Sequence, residues 1–197
     1  MAETYEIRAN FDRDSITVYQ AYRDAVAKPA LEKQKFVEPF STKRMTWIKP
    51  SFGWMMHRSN WGLKHGQNNI LAVQISRTGW EKALSLGVLT SPEKSVFKSG
   101  NEWEEKFKAA KVHVQWDTER NYRGTALTYF SIQVGLSSNI IEEYVNDWVE
   151  SISDFTPTVR KLHSLMRTGN MKNFKKLLPV EKVYPVREEV KKRLMIY

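Results

Sequence analysis

From Pro39 to Trp80 the chain carries no Asp or Glu, yet it places Lys43, Arg44, Lys49, Arg58, Lys64 and Arg77 there with four of its seven tryptophans. Cations and large aromatic rings without neighbouring carboxylates suit a phosphate-bearing ligand, since a carboxylate would repel it. Arg44, Lys49 and Arg58 are the cations expected to hold phosphates. Arg44 and Lys49 flank the short apolar segment Met45-Thr-Trp-Ile48, so their charges should sit at its rim. Pro50-Ser51 reads as a helix start, whose free N–H groups and positive dipole end would add a site for an anion. Trp47, Trp54 and Trp61 recur every seven residues, but Pro50 and Gly53 argue against one continuous helix. Some of these rings should fill the core, with Trp47 or Trp54 free to stack on a base or nicotinamide.

Further polar residues fall on expected strands. Gln20 and Tyr22 share one face of a strand over 15–22, and Tyr19 faces the other way. A strand amide needs partners, and Gln133 in Ser131-Ile-Gln-Val-Gly135 poses the same requirement. Two such glutamines beside tyrosines and arginines would make a polar floor for a nucleotide. Asp117, Glu119, His57 and His113 are the candidates for general acid–base work.

The elements that must position these groups follow from pattern. Residues 5–11 and 15–22, joined by Asp12-Arg13-Asp14, predict a hairpin. A helix is expected over 23–35, a strand over 44–49, a helix capped by Ser51 to about Ser59, and a strand over 71–76. Thr78 should cap a helix ending before Gly87. A helix over 103–110, a strand over 112–116, a turn over 117–123 and a strand over 126–135 follow. Asn139 and Glu142 form a capping-box pattern for a helix to about Ser153. Thr156-Pro157 opens another helix ending at Gly169, before a short helix to Leu178 and an extended basic tail. Interleaved strands and helices predict an α+β fold: a twisted mixed sheet with packed helices and a helical, basic C-terminal third. No linker or repeat divides the chain, so residues 1–197 are expected to form one domain.

Charge and composition narrow the classes. The net charge is +9, but residues 157–197 hold 11 Lys+Arg against three acids, so nearly all the excess lies there. That stretch reads as a basic extension of the domain and a docking surface for RNA or DNA. No cysteine is present, which excludes disulfides and thiol catalysis and fits a cytoplasmic location. The polar, acidic N-terminus does not read as a signal peptide, and no apolar run spans a membrane. Walker, Gly-x-Gly-x-x-Gly, His-Glu-x-x-His and Gly-x-Ser-x-Gly patterns are absent, and the four histidines lack ligand spacing, so no metal is expected.

Ile7-Arg-Ala-Asn-Phe-Asp, Val18-Tyr-Gln-Ala-Tyr, Arg44-Met-Thr-Trp-Ile-Lys-Pro-Ser-Phe, Trp54-Met-Met-His-Arg-Ser, Val114-Gln-Trp-Asp, Ser131-Ile-Gln-Val-Gly-Leu and Leu178-Pro-Val-Glu occur in order along the chain. Together they resemble the DUF4291 family, over nearly the whole length. That family is in turn similar to the ADP-ribosyltransferase superfamily, which holds NAD in a cleft between two small sheets. The resemblance implies Arg8 in the first site position, Tyr19, Tyr22 or Ser51 in the second, and Gln133 where a late Glu is expected. An amide cannot stabilise an oxocarbenium-like centre as a carboxylate does, so Gln133 departs from the pattern. The expectation is therefore a nucleotide-binding, NAD-like protein, ADP-ribosyltransferase-like, acting on nucleic acid or protein. In it Arg8, Gln20, Tyr22, Arg44, Trp47, Lys49, Ser51, Trp54 and Arg58 hold the cofactor, and Tyr19 and Gln133 are catalytic. The alternative is a non-catalytic RNA- or DNA-binding module using the basic C-terminal region and exposed aromatics.

Overall fold

The computed structural model describes residues 4–196; the first three residues of the polar N-terminus and Tyr197 lie outside the described residues. The fold is α+β, built on two principal sheets. In the larger, β8 (Ala126–Leu136) pairs antiparallel with β7 (Val112–Arg120), and β7 pairs parallel with β6 (Gly87–Leu89). The other edge of β8 is shared by two short strands. β1 (Thr4–Tyr5) lies parallel at Tyr129–Phe130, and β4 (Thr46–Ile48) antiparallel at Val134–Leu136. In the smaller sheet, β5 (Asn69–Ser76) is central between β3 (Ser15–Tyr22) and β9 (Val149–Asp154), all antiparallel. The sheets meet at one backbone bridge, where the Tyr19 N–H donates to the Lys49 carbonyl at 2.7 Å.

Apolar side chains of both sheets bury against α1 (Asp24–Lys33), α3 (Arg77–Leu86) and α8 (Glu188–Leu194). A second cluster joins α2 (Phe52–Ser59) to α6 (Thr156–Arg167) and α7 (Met171–Leu177) through Phe52, Met55, Met56, Val159, Leu162 and Phe174. α4 (Gly100–Ala109) is capped by Ser99 and starts three residues earlier than its Trp103 suggested.

Five expectations fail in whole or in part. The first hairpin forms only next to its turn, where the Asp12 N–H donates to the Ser15 carbonyl and the Thr17 N–H to the Asn10 carbonyl. Asp12 does make the turn, accepting from the N–H groups of Asp14 and Ser15, but only Phe11 and Ile16 pair across it. The apolar β3 takes eight residues of register with β5, while β2 (Arg8–Ala9) pairs with β10 (Lys182–Val183) instead. The helix begun at α5 (Ile141–Glu143) passes into a π-helical turn (Tyr144–Trp148) and stops there. Val149 and Ile152 continued its helical spacing, yet they lie on β9, which fills the open edge of β5; no Asn139 cap forms. β7 continues through the expected 117–123 turn to Arg120. Finally, the tail is not simply extended: Tyr184, Val190, Leu194 and Ile196 are buried in the main core. Ser76 rather than Thr78 caps α3.

The π turn delivers the Trp148 indole onto Gly79 of α3. A Cβ at position 79 would run into that ring. Gly79→Ala is expected to lower stability by about 1–3 kcal/mol through overpacking, read as a reduced urea midpoint with an unchanged slope.

Candidate functional site

The bridge between the sheets leaves a cleft of about 650 Å³ beside it, within the usual range for small-molecule sites. Gln20 and Tyr22 enter from β3. Arg44, Met45, Thr46, Trp47 and Lys49 come from β4 and its flanks, Trp54, Met55 and Arg58 from α2, Gln115 and Asp117 from β7, and Gln133 from β8. Of the residues proposed from sequence, the structure therefore brings together Gln20, Tyr22, Arg44, Trp47, Lys49, Trp54, Arg58 and Gln133.

Lys49 is at the centre. Its side chain is buried, with Nζ 4.5 Å from the Trp54 ring centroid and 5.8 Å from that of Trp47. The Nζ donates to Gln133 Oε1, and Gln133 Nε2 donates to Asp117 Oδ2 at 2.7 Å. Asp117 Oδ1 accepts from Gln115 Nε2 at 2.9 Å. Burial pushes the Lys49 amine down to about 7; Asp117 pulls it back up and Arg58 lowers it further. Burial likewise raises the Asp117 carboxyl, against its amide donors and the nearby cations. The result is a polar chain, Lys49–Gln133–Asp117, in which the only carboxyl group of the cleft lining is held by two amides.

The amide of Gln20 is fully engaged. It donates to the hydroxyls of Tyr22 and Thr46 at 2.8 and 3.0 Å and accepts from the Tyr144 hydroxyl at 2.7 Å. The Tyr22 ring packs edge-on against Phe36 and Phe40, and burial pushes its phenol up to about 12. These two residues knit the cleft wall rather than present free donors. Trp47 lies against β8 because Gly135 leaves room: a Cβ there would stand 2.9 Å from Trp47 Cη2. At the mouth, Arg44 and Arg58 are exposed, and neither has a hydrogen-bond or ion-pair partner among the described residues.

Three proposed residues lie elsewhere. Arg8 is bound to Glu6 at 2.6 Å and covers the Tyr129 ring, away from the cleft lining. Tyr19 points into the second core cluster against Phe52 and Phe155. Ser51 is buried and donates to Glu119 Oε2, while also capping α2 through the Trp54 N–H. The Phe52 N–H donates to Glu181 Oε1 at 2.6 Å. The place expected for an external anion at this helix start is thus taken by the chain's own carboxyl groups. Of the acid–base candidates, only Asp117 lines the cleft; Glu119 serves α2, and His113 is buried against Phe107. His57 lines a separate hollow with Asn60, Trp61 and His163. Sequence reasoning missed Gln115, which alternates with Asp117 on one strand face, and Thr46, between two residues it did select. Glu181 stood out only as the end of the Leu178-Pro-Val-Glu string, with nothing to tie it to Phe52, 129 residues away.

An α+β protein with a cation-rich, tryptophan-walled cleft between two sheets is the class this geometry defines. The model of the domain of unknown function DUF4291 matches residues 6–184, and the chain belongs to that family. No curated protein matches it. Among the described residues, no cluster of His, Asp or Glu could hold a metal ion, and no helix is long and apolar enough to cross a membrane.

The carboxyl pair at α2 generates a pH dependence. Burial first, opposed by the Phe52 N–H and reinforced by Glu119, raises Glu181 from 4.5 to about 8. Between those values the folded chain holds more protons at this site than the unfolded one, so this group's contribution falls as pH rises. Glu181→Gln keeps an acceptor for the Phe52 N–H. Its melting temperature should gain on wild type from pH 5 to about 8 and then level off. A difference independent of pH would refute an ionisable Glu181 as the cause.

Proposed function

We propose that the cleft binds an NAD-like nucleotide and that the protein is ADP-ribosyltransferase-like. The single observation that carries the reading is the pair of unpartnered arginines, Arg44 and Arg58, beside buried Lys49 in a cleft with one carboxyl group. Guanidinium groups at the mouth suit phosphate oxygens, and the Trp47 face suits a base or nicotinamide ring. Gln133 occupies the place where the superfamily resemblance implies a Glu. Asp117, held by that same glutamine, offers the cleft a carboxylate for an oxocarbenium-like centre. Arg8, Tyr19 and Ser51 take no part in this reading.

Titration with NAD, ADP-ribose and AMP should quench tryptophan fluorescence and raise the melting temperature. Losing one charge-assisted contact of about 1.5–3 kcal/mol in Arg44→Ala or Arg58→Ala should weaken binding roughly ten- to a hundredfold. If no mononucleotide or dinucleotide shifts the wild-type melt, the reading falls.

A second observation favours the nucleic-acid alternative. From Pro157 to Val180 there is no acid, and Arg160, Lys161, Arg167, Lys172, Lys175 and Lys176 on α6 and α7 are exposed without ion-pair partners among the described residues. Beyond them the terminal segment also exposes Lys182, Arg187 and Lys192, while its Glu181 and Tyr184 are built into the fold. On this reading, RNA or DNA affinity falls steeply between about 50 and 200 mM salt, and charge reversal at Lys172, Lys175 and Lys176 abolishes it. Affinity unchanged in that triple variant would exclude the alternative.

A further inference from the structure

Lys49 is an unusual lysine for its place. Its backbone is fixed twice, by the Tyr19 N–H on its carbonyl and by Pro50 after it. Its side chain is only 6% exposed, at the floor of an open cleft. A buried lysine normally sits in an ion pair. Lys49 forms none among the described residues; its one hydrogen-bond acceptor is the neutral amide of Gln133, and Asp117 stands one residue further along the chain of contacts. Trp54 and Trp47 cover its flanks, and Arg44 and Arg58 add like charge within the same cleft. Desolvation, like charge and the lack of a carboxylate contact all favour the neutral amine, and a neutral, fixed amine is a nucleophile toward carbonyl carbon.

We propose that Lys49 is a covalent attachment point, forming an imine with the aldehyde carbon of a phosphorylated carbonyl compound whose phosphate rests on Arg44 and Arg58. This rests on the anion-binding reading of the cleft and adds a chemical class to it: a sugar phosphate with a free anomeric carbon, or another aldehyde carrying a phosphate. The Nζ lone pair forms the C–N bond while the carbonyl π electrons move to oxygen, which takes up the proton released by nitrogen. The carbinolamine then loses that oxygen as water, with one proton added to the leaving hydroxyl and one lost from nitrogen as C=N forms. Amine and aldehyde give imine and water, and no oxidant or reductant is required. Asp117, the one carboxyl group in the cleft lining, can take the proton lost from nitrogen, and solvent in the open cleft protonates the leaving hydroxyl.

Pyridoxal 5′-phosphate serves as the probe, since it is an aromatic phosphorylated aldehyde whose imine absorbs distinctly and is fixed by borohydride. Pyridoxine 5′-phosphate, with an alcohol in place of the aldehyde, reports anion binding alone. At pH 7, brief reaction, reduction and peptide mapping should place a single adduct on Lys49. It should form at least about tenfold faster than on any other lysine, because a lysine near pKa 10.4 holds well under about 1% neutral amine there. Lys49→Met, which replaces the neutral amine by an uncharged side chain of similar length, should abolish that adduct, and the double variant Arg44→Ala/Arg58→Ala should slow labelling at Lys49. Labelling spread over surface lysines, with Lys49 no faster, would overturn the proposal; pyridoxine 5′-phosphate still binding would then show that the anion cleft itself stands. If neither compound binds and Lys49 stays unlabelled, both the imine and the anion-binding reading are lost.

Discussion

The junction of the two sheets at Tyr19 and Lys49 is the constraint on which the site depends. A single backbone hydrogen bond of 2.7 Å joins β3 to the end of β4. On either side of it the sheets use different partners, β5 for one and β8 for the other. Because they are joined at one point, the space beside that point opens as a cleft. Residue alternation then sends Tyr19 into the core and its neighbour Gln20 toward the cleft, while Lys49 carries the joint on its backbone and its amine on the other side.

Around that joint, polar groups are almost all satisfied, and the exceptions are informative. Gln20 ties three elements together through Tyr22, Thr46 and Tyr144. Glu119 and Glu181 close the start of α2 with their own carboxyl groups, which holds Trp54 and Arg58 in position without offering that helix end to a ligand. Buried polar groups that are fully paired rigidify a site. Arg44 and Arg58 are left outside this network, and Lys49 is held in it only by an amide. The two unpartnered arginines are therefore both on the β4–α2 segment, and the carboxyl group of the lining is on β7.

Much of that wall was legible in the chain. An acid-free window with Arg44, Lys49 and Arg58 between tryptophans carries its own chemistry, and its strand–Pro–Ser–helix order places those groups close together locally. The polar floor was legible in part, since Gln20 and Gln133 are unexpected on strands. What misled was local pattern with a non-local answer. Asp12 makes a genuine turn, but beyond its first bridge the hairpin stops because residues 8–9 pair with β10 instead. The helical spacing through Val149 and Ile152 yields to the unpaired edge of β5. Ser51 has the right neighbours for an anion site, and the chain fills it from 68 and 129 residues away.

The sequence by itself determined most of the element types, the family, and which segment holds the cations, because these depend on residues near one another and on pattern along the chain. Only the tertiary structure decided which charges are free. Whether Lys49 meets the amide of Gln133, 84 residues away in the chain, rather than a carboxylate depends on the pairing of β4 with β8. Electrostatic environment is set by distance and burial in space, and a linear sequence fixes neither until the sheets have closed around the site.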